Sequence, residues 1–130
     1  MNRIEKRIDF LYALKRQKLN SILQKYELTY DEYQIIKIIH YMDGIASEMI
    51  EKESKLDVML IKNIKDTLLQ KDFINIIDNK VFLGDKAKEV YPKIRKDLKK
   101  EERRITKDIN KEDVIIILEA LDQLIDYYEK

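Results

Sequence analysis

One stretch limits the folds open to this chain: FINIIDNKVFL, Phe73 to Leu83. Phe, Ile and Val dominate it, and these side chains suit a pleated, half-buried strand. Asp78 and Asn79 stand in its middle. Both tolerate positive φ, so together they can make a two-residue hairpin turn. That turn sets a register of Ile77 opposite Lys80, Ile76 opposite Val81, Asn75 opposite Phe82 and Ile74 opposite Leu83. Ile74, Ile76, Val81 and Leu83 then share one face, which a slip of one residue would scatter. The other face, Asn75, Ile77, Lys80 and Phe82, is unusually apolar for a surface that meets only water. A lone hairpin is marginal in water, so this one must pack on helices.

The rest of the chain is written in helical period. With two Gly and one Pro in 130 residues it has little material for turns, which argues for long helices. Ile4, Ile8, Leu11, Leu14, Ile22 and Tyr26 predict a helix over 3–26. Thr29 and Glu32 fit a capping box, with Leu28 and Tyr33 as its hydrophobic staple. A second helix follows through Ile35, Ile36, Ile38, Ile39 and Met42, and Gly44 is placed to end it. A short third helix fits 46–53. Asp57 can cap a fourth over about 58–71, with Ile61, Ile64, Leu68 and Leu60 facing inward. After the hairpin, Asp85 can cap a long helix whose stripe is Val90, Tyr91, Ile94, Leu98 and Ile105. Pro92 inside it predicts a kink or a late start. Asn110 can cap the last helix, rich in Ile and Leu. No repeat, low-complexity segment or linker interrupts the chain, which reads as a single domain over 1–130.

Composition excludes several classes of function. Without cysteine there is no disulfide, thiol switch or cysteine metal site, and with one His no dedicated metal site is expected. No nucleophile–base arrangement or phosphate-binding Gly loop is present, so neither an enzyme nor a cofactor is expected. The longest aliphatic run, Val114 to Leu118, is too short for a membrane span, and the charged start MNRIEKRIDF is no signal peptide. A cytoplasmic protein without membrane contact is the expectation. The net charge of +1 is unevenly spread. Residues 1–25 carry seven Lys/Arg against two acids, and 81–111 carry eleven against six. Residues 26–54 carry two against seven, and 112–130 one against six. Such blocks favour pairing within or between subunits over a uniformly basic nucleic-acid binder.

A short helix, a turn, a second helix and a hairpin make a winged helix-turn-helix, and the terminal helices resemble a dimerisation bundle. At this point the chain resembles the MarR family of bacterial transcription regulators. LTYDEYQIIKIIHYMDG is similar to that family's second helix, and IASEMIEKESKLDVMLIKNIKDTLLQKDFI follows its helix-turn-helix register. LGDKAKEV is similar to the segment opening its long fifth helix. The resemblance implies a mainly α fold with a winged helix-turn-helix lobe over 28–84 and a helical dimerisation lobe from 1–27 and 85–130. It further implies a homodimer that regulates transcription by binding double-stranded DNA, with the fourth helix in the major groove.

Departures from the family pattern are concentrated in the DNA-facing half. Glu51 stands where a small residue is usual, Lys55 and Asp72 where Gly is usual, and Met59 and Leu60 where small hydroxyl residues are usual. Asn63 replaces a common Arg. The wing is cut to Asp78-Asn79 and lacks the family's Asp-x-Arg element. On the helix face opposite Ile61, Ile64 and Leu68 stand Met59, Lys62, Asn63 and Asp66. Asn63 can read adenine and Met59 a thymine methyl, while Lys55, Lys62, Lys65 and Lys80 can meet phosphates. Met59 can equally be an ordinary apolar residue, and the lysines a solvated face. In similar proteins small aromatic effectors bind between bundle and winged helix. Tyr12, Tyr30, Tyr33 and Tyr41 can gather there, or serve as core packing. His40 reads as a packed or surface residue or a pH-responsive one, and the run Lys99–Arg104 as a salt-bridged surface or a second DNA contact. The alternative function is a protein-interaction module on the same fold that has lost operator binding. It would engage its partner through Ile77, Phe82 and the acidic 26–54 surface.

Overall fold

The computed structural model describes residues 3–130. Six helices and three short strands follow in the order α1 (Arg3–Leu23), α2 (Tyr30–Tyr41), β1 (Ile45–Ala46), α3 (Met49–Ser54), α4 (Val58–Gln70), β2 (Ile74–Ile77), β3 (Lys80–Leu83), α5 (Asp85–Thr106) and α6 (Lys111–Glu129). A single 3-10 turn, Gln24–Tyr26, closes α1. The chain divides into two compact units, the first ending at Arg95 and the second running Lys96–Lys130. The two units bury side chains very unequally. Every buried side chain among the described residues lies in the first unit, between Leu23 and Ile94.

The start of α2 forms as its sequence dictates. The Thr29 hydroxyl accepts from the Glu32 amide at 3.2 Å, and the Glu32 carboxylate accepts from the Thr29 amide at 2.8 Å. Two orphan amides are satisfied at once. Leu28 and Tyr33, the two residues of the staple, are both buried. Asp57 caps α4 through the Met59 amide, and Asn110 caps α6 through the Asp113 amide at 2.9 Å. Ile61, Ile64 and Leu68 point into the core beside Ile35, Ile36, Ile39, Ile50 and Phe73, which are all buried.

The hairpin adopts the expected register, Ile74 to Leu83 and Ile77 to Lys80. Asp78 and Asn79 both take positive φ, 51° and 62°, as a type I′ turn requires. Ile74, Val81 and Leu83 are buried, but Ile76 at the free edge is exposed. On the other face Phe82 is half-buried, with its ring against Gly44. Gly84 closes the hairpin. Its amide donates to the Phe73 carbonyl, and a Cβ there would sit 2.3 Å from the Asp72 carbonyl oxygen. Only glycine allows that approach.

Several boundaries depart from expectation. Ala46 begins no helix: Ile45 and Ala46 form β1, paired antiparallel with Val81 and Lys80, so the sheet has three strands in the order β1-β3-β2. The third helix starts only at Met49. Gly44 does not end α2, which stops at Tyr41. It turns the chain into β1 at φ +82°, its amide bonded to the Val81 carbonyl. Asp85 is the first residue of α5 rather than its cap. The Gly84 carbonyl accepts the first helical bond, from Lys88. Pro92 does not delay α5, which is already helical from Asp85. Leu60 does not face inward; it is exposed. Along α5, Tyr91 and Ile94 are buried and Val90 and Leu98 half-buried, while Ile105 is exposed.

Candidate nucleic-acid interface

The helix α4 has two faces of opposite character. Ile61, Ile64 and Leu68 recur at three- and four-residue steps and are buried, which turns the remaining stripe outward. On that stripe Met59, Lys62, Asn63 and Asp66 are all exposed. Lys62 forms no ion pair, and the Asn63 side-chain amide makes no hydrogen bond among the described residues. Both are free to bind something outside the chain. The helix opens with three outward apolar residues, Val58, Met59 and Leu60, with Met59 64% exposed.

Lys65 departs from its expected phosphate-binding role. Its ammonium donates to the Ser47 carbonyl at 2.8 Å and the Ser47 hydroxyl at 2.6 Å, with the Glu51 carboxylate at 3.8 Å. Its side chain is only 13% exposed. The network explains Glu51. A carboxylate in place of a small residue where α3 meets α4 is matched by the lysine facing it. Lys65 therefore holds α4 against α3 and the end of β1, and the exposed lysines around this face are Lys55, Lys62 and Lys80. Asp57, Asp66 and Asp78 stand on the same segments, also exposed, so the field across the face is weak.

The turn before α4 and the tip of the hairpin are both restrained. Lys55 sits at φ 61° and closes α3, its amide bonded to the Glu51 carbonyl. Asp72 sits at φ 62° before the hairpin. Both occupy left-handed backbone where glycine is the unstrained choice. At the hairpin tip the Asn79 amide donates to the Glu48 carboxylate at 2.7 Å, and the Asn79 carbonyl accepts from the Ser47 amide. The short wing is thus tied back to the start of α3. It presents Asp78 and the exposed Ile77 at its end, with no arginine.

The four tyrosines do not line one pocket. They fall into two groups. Tyr12 and Tyr30 lie beside Arg16, whose guanidinium grips the Asp31 carboxylate through two bonds of 2.9 and 2.6 Å and reaches the Tyr12 hydroxyl at 3.3 Å. The bond to Asp31 is the main cause that raises the Arg16 pKa, and burial is the main cause that raises that of Tyr30. Tyr33 is buried and stacks on Tyr91 at 6.2 Å, and His40 stacks on Tyr91 at 4.1 Å and meets Tyr41 edge-on. Tyr91, Arg16 and Arg95 complete these groups; Tyr91 stands on the apolar stripe of α5, whereas neither arginine carries a helical-period signal that would single it out. Burial raises the Tyr91 pKa most, with Tyr33 and Tyr41 adding to it, and the approach of Tyr33 raises that of Arg95. The Tyr33 and Tyr91 hydroxyls are buried and make no well-formed hydrogen bond among the described residues, although Arg95 approaches the first and Tyr41 the second. An open groove of about 700 Å³ starts at the same Arg16–Asp31 pair and runs between Gln17 and Asn20 of α1, Thr29, and Leu60 and Ile64 of α4. No tyrosine lines it.

Among the described residues no cluster of three or more His, Asp or Glu is arranged to hold a metal ion, and no helix is long and apolar enough to cross a membrane. No family model matches the sequence, and no curated protein matches it either. Solved structures do match. A MarR transcriptional regulator from Methanosarcina mazei Go1 shares 18% identity over 95% of this chain and 93% of its own, with a TM-score of 0.84. Staphylococcus aureus MarR, in complex with salicylate and kanamycin, shares 14% over 96% and 89%, with a TM-score of 0.88. The S. aureus MepR–DNA complex shares 14% over 93% of each chain, at 0.81. The chain has the winged helix-turn-helix fold of MarR regulators, mainly helical with a short hairpin and a helical bundle.

Proposed function

We propose that this chain is a DNA-binding transcription regulator that acts as a homodimer, with α4 as its recognition helix. The observation that carries this reading is the outward stripe of α4, where Lys62 and the Asn63 amide are exposed and without partners opposite a fully buried face. An asparagine in the middle of a helix contributes little to helix stability, but its amide can bond adenine N6 and N7 in the major groove. The S. aureus MepR structure, of the same fold, is a DNA complex. Two recognition helices in successive major grooves would occlude a promoter, and the site of action would be the cytoplasm.

The dimer is supported by apolar faces left open on the single chain. On α6, Ile115, Leu118, Leu121 and Ile125 are exposed, as are Ile4, Leu11 and Leu14 on α1. The Lys96–Lys130 unit buries no side chain. A unit without a core of its own needs a partner surface. Of the effector expectation, Tyr12 and Tyr30 do lie beside Arg16, but its guanidinium is held by the Asp31 carboxylate, so an aromatic anion would bind there only by displacing Asp31. The S. aureus MarR structure holds salicylate. Tyr33 is closed in its stack and Tyr41 stands apart from that pair. Effector binding would act by favouring one half-site spacing over another.

The direct test is a fluorescence-anisotropy titration against DNA surrounding the chain's own gene, at several salt concentrations and with scrambled competitor. The expected result is saturable binding that survives competitor and weakens in Lys62→Ala and Asn63→Ala. With Lys55, Lys62 and Lys80 as the phosphate contacts of each protomer, log K should fall against log salt with a slope no steeper than about −5. A second reading, a protein-interaction module that has lost operator binding, is favoured by one observation: Ile76 and Ile77 lie exposed on the free edge of β2. Weak binding to every fragment, abolished by competitor, would give that reading precedence.

A further inference from the structure

The leading turn of α4 is the least explained surface of the molecule. Val58 is 61% exposed and Met59 64%. Neither is needed by the core, because Ile61, Ile64 and Leu68 supply the packing. Neither is the best choice for an exposed helix start either: valine has modest helix propensity, and both leave apolar surface in water. A fold under no other demand would place polar or small residues here.

The usual use of such a position is phosphate binding by free helix amides. That use is blocked. The Asp57 carboxylate already accepts from the Met59 amide, at 3.2 Å, and puts a negative charge where a phosphate would sit. The polar groups lie to either side instead. Lys55 precedes the tip and Lys62 follows it one turn on, both exposed and neither in an ion pair among the described residues. An apolar tip between two available cations is complementary to one feature of duplex DNA. Phosphates flank the major groove, and the thymine methyl is the apolar group on its floor.

We propose that Val58 and Met59 read the 5-methyl groups of thymine in the major groove, so that the chain selects its duplex by the position of methyl groups. This rests on the DNA-binding reading above and goes further, because it names the chemical group recognised. The weak field across the face fits it: with few phosphate contacts, affinity depends more on contacts to the bases. Asn63 stands four residues after Met59 on the same stripe, so amide reading follows methyl reading along the helix.

The test uses the full chain and a library of random-sequence duplexes. The duplex it enriches is remade with deoxyuridine for thymidine, one position at a time, which removes the methyl and nothing else. The expected result is a loss of about fourfold at each position read, the worth of one buried methyl. At such a position, a C·G replacement should bind better when its cytosine carries a 5-methyl group. Met59→Ala should bind thymine and uracil alike at the position that Met59 reads, and keep the preference at the position that Val58 reads. Met59 is exposed, so this variant keeps its fold, which thermal melting checks. Equal binding of thymine and uracil duplexes by the unaltered chain overturns methyl reading and leaves DNA binding standing. Failure to enrich any duplex overturns both, and makes the apolar tip a contact for protein.

Discussion

The starts of α2 and α4 are built to opposite specifications. At α2 the cap, the Tyr30 amide and both first-turn carboxylates close on neighbours. Thr29 and Glu32 cap each other, Asn20 accepts from the Tyr30 amide at 2.6 Å, and Arg16 grips Asp31. The apolar flanks, Leu28 and Tyr33, are buried. At α4 a single carboxylate, Asp57, does the capping, and the next three side chains, Val58, Met59 and Leu60, are exposed. Both helices belong to the same unit and share one core. Folding alone does not explain the difference; the proposed DNA-binding role of α4 does, with α2 closed to hold the fold and α4 open for a contact outside the chain.

The strongest way to break this contrast is to attack Glu32. Its carboxylate is nearly fully buried and bonds the Thr29 amide, with the Lys71 ammonium at 3.3 Å. Lys71 also donates to the Glu27 carbonyl at 2.6 Å, so this one pair ties the end of α4 to the start of α2. Glu32→Ala leaves the Thr29 amide without its acceptor and Lys71 without its carboxylate, with only the Glu27 carbonyl still accepting from it. It should cost about 2–3 kcal/mol in urea denaturation, less than a fully buried pair because Lys71 is partly exposed. A loss below about 0.5 kcal/mol would mean that the closed start of α2 does not hold the fold.

A matched pair of cap deletions sharpens the comparison. Thr29→Ala should lower stability by about 1 kcal/mol and leave DNA affinity unchanged. Asp57→Ala should cost a similar amount or less, since its hydrogen bond is longer and exposed. It should also strengthen non-specific DNA binding, because a negative charge leaves the helix start that faces the phosphates. Equal DNA behaviour in the two variants would show that the start of α4 is no more a binding surface than that of α2.

How much of this was legible in the sequence follows the range of each interaction. The caps at Thr29, Asp57 and Asn110, the hairpin register and Ile61, Ile64 and Leu68 on the inward face of α4 are local, and each stands in the structure as read. Leu60, which is exposed, and Asp85, which lies inside α5, are local departures. The larger departures are non-local. Ile45 and Ala46 are a strand only because β3 lies beside them. Lys65 and Lys62 look alike on the helix, but Ser47, eighteen residues earlier, takes Lys65 out of the surface. The sequence lets Tyr12, Tyr30, Tyr33 and Tyr41 gather around the first two helices, whereas Tyr91, on α5, draws Tyr33 away from Tyr12 and Tyr30.

A smaller effect is expected at the turn before α4. Lys55 holds φ 61° where a glycine would be unstrained. A left-handed L-residue costs about 1–2 kcal/mol, and a glycine loses back roughly half of that in chain entropy. Lys55→Gly should therefore raise stability by about 0.5–1 kcal/mol. If Lys55 also meets a phosphate, the same variant should flatten the salt slope by about one unit per protomer. Asp72→Gly, at φ 62° and remote from α4's open start, should give the stability gain alone. Two variants with the same backbone relief thus separate strain from contact.

The smallest effect concerns a flaw inside the closed region. The Tyr33 hydroxyl is buried without a well-formed hydrogen bond, and so is that of Tyr91, on which it stacks. Removing a buried hydroxyl that makes no well-formed bond removes a desolvation cost, so Tyr91→Phe should be neutral or stabilising by up to about 1 kcal/mol. The sign with pH is also fixed. Burial raises the Tyr91 pKa above its ordinary 10.0, so the folded state favours the neutral phenol. The native chain keeps that contribution below pH 10.0 and loses it as pH rises from there towards the higher folded value. In Tyr91→Phe this part of the alkaline loss should vanish, so the gap between the two proteins' melting temperatures should stay constant below that pH and change only above it. A destabilised Tyr91→Phe would instead mean that the hydroxyl bonds to a group supplied by a second subunit or by an effector. The sealed side of the molecule would then be open at one point as well.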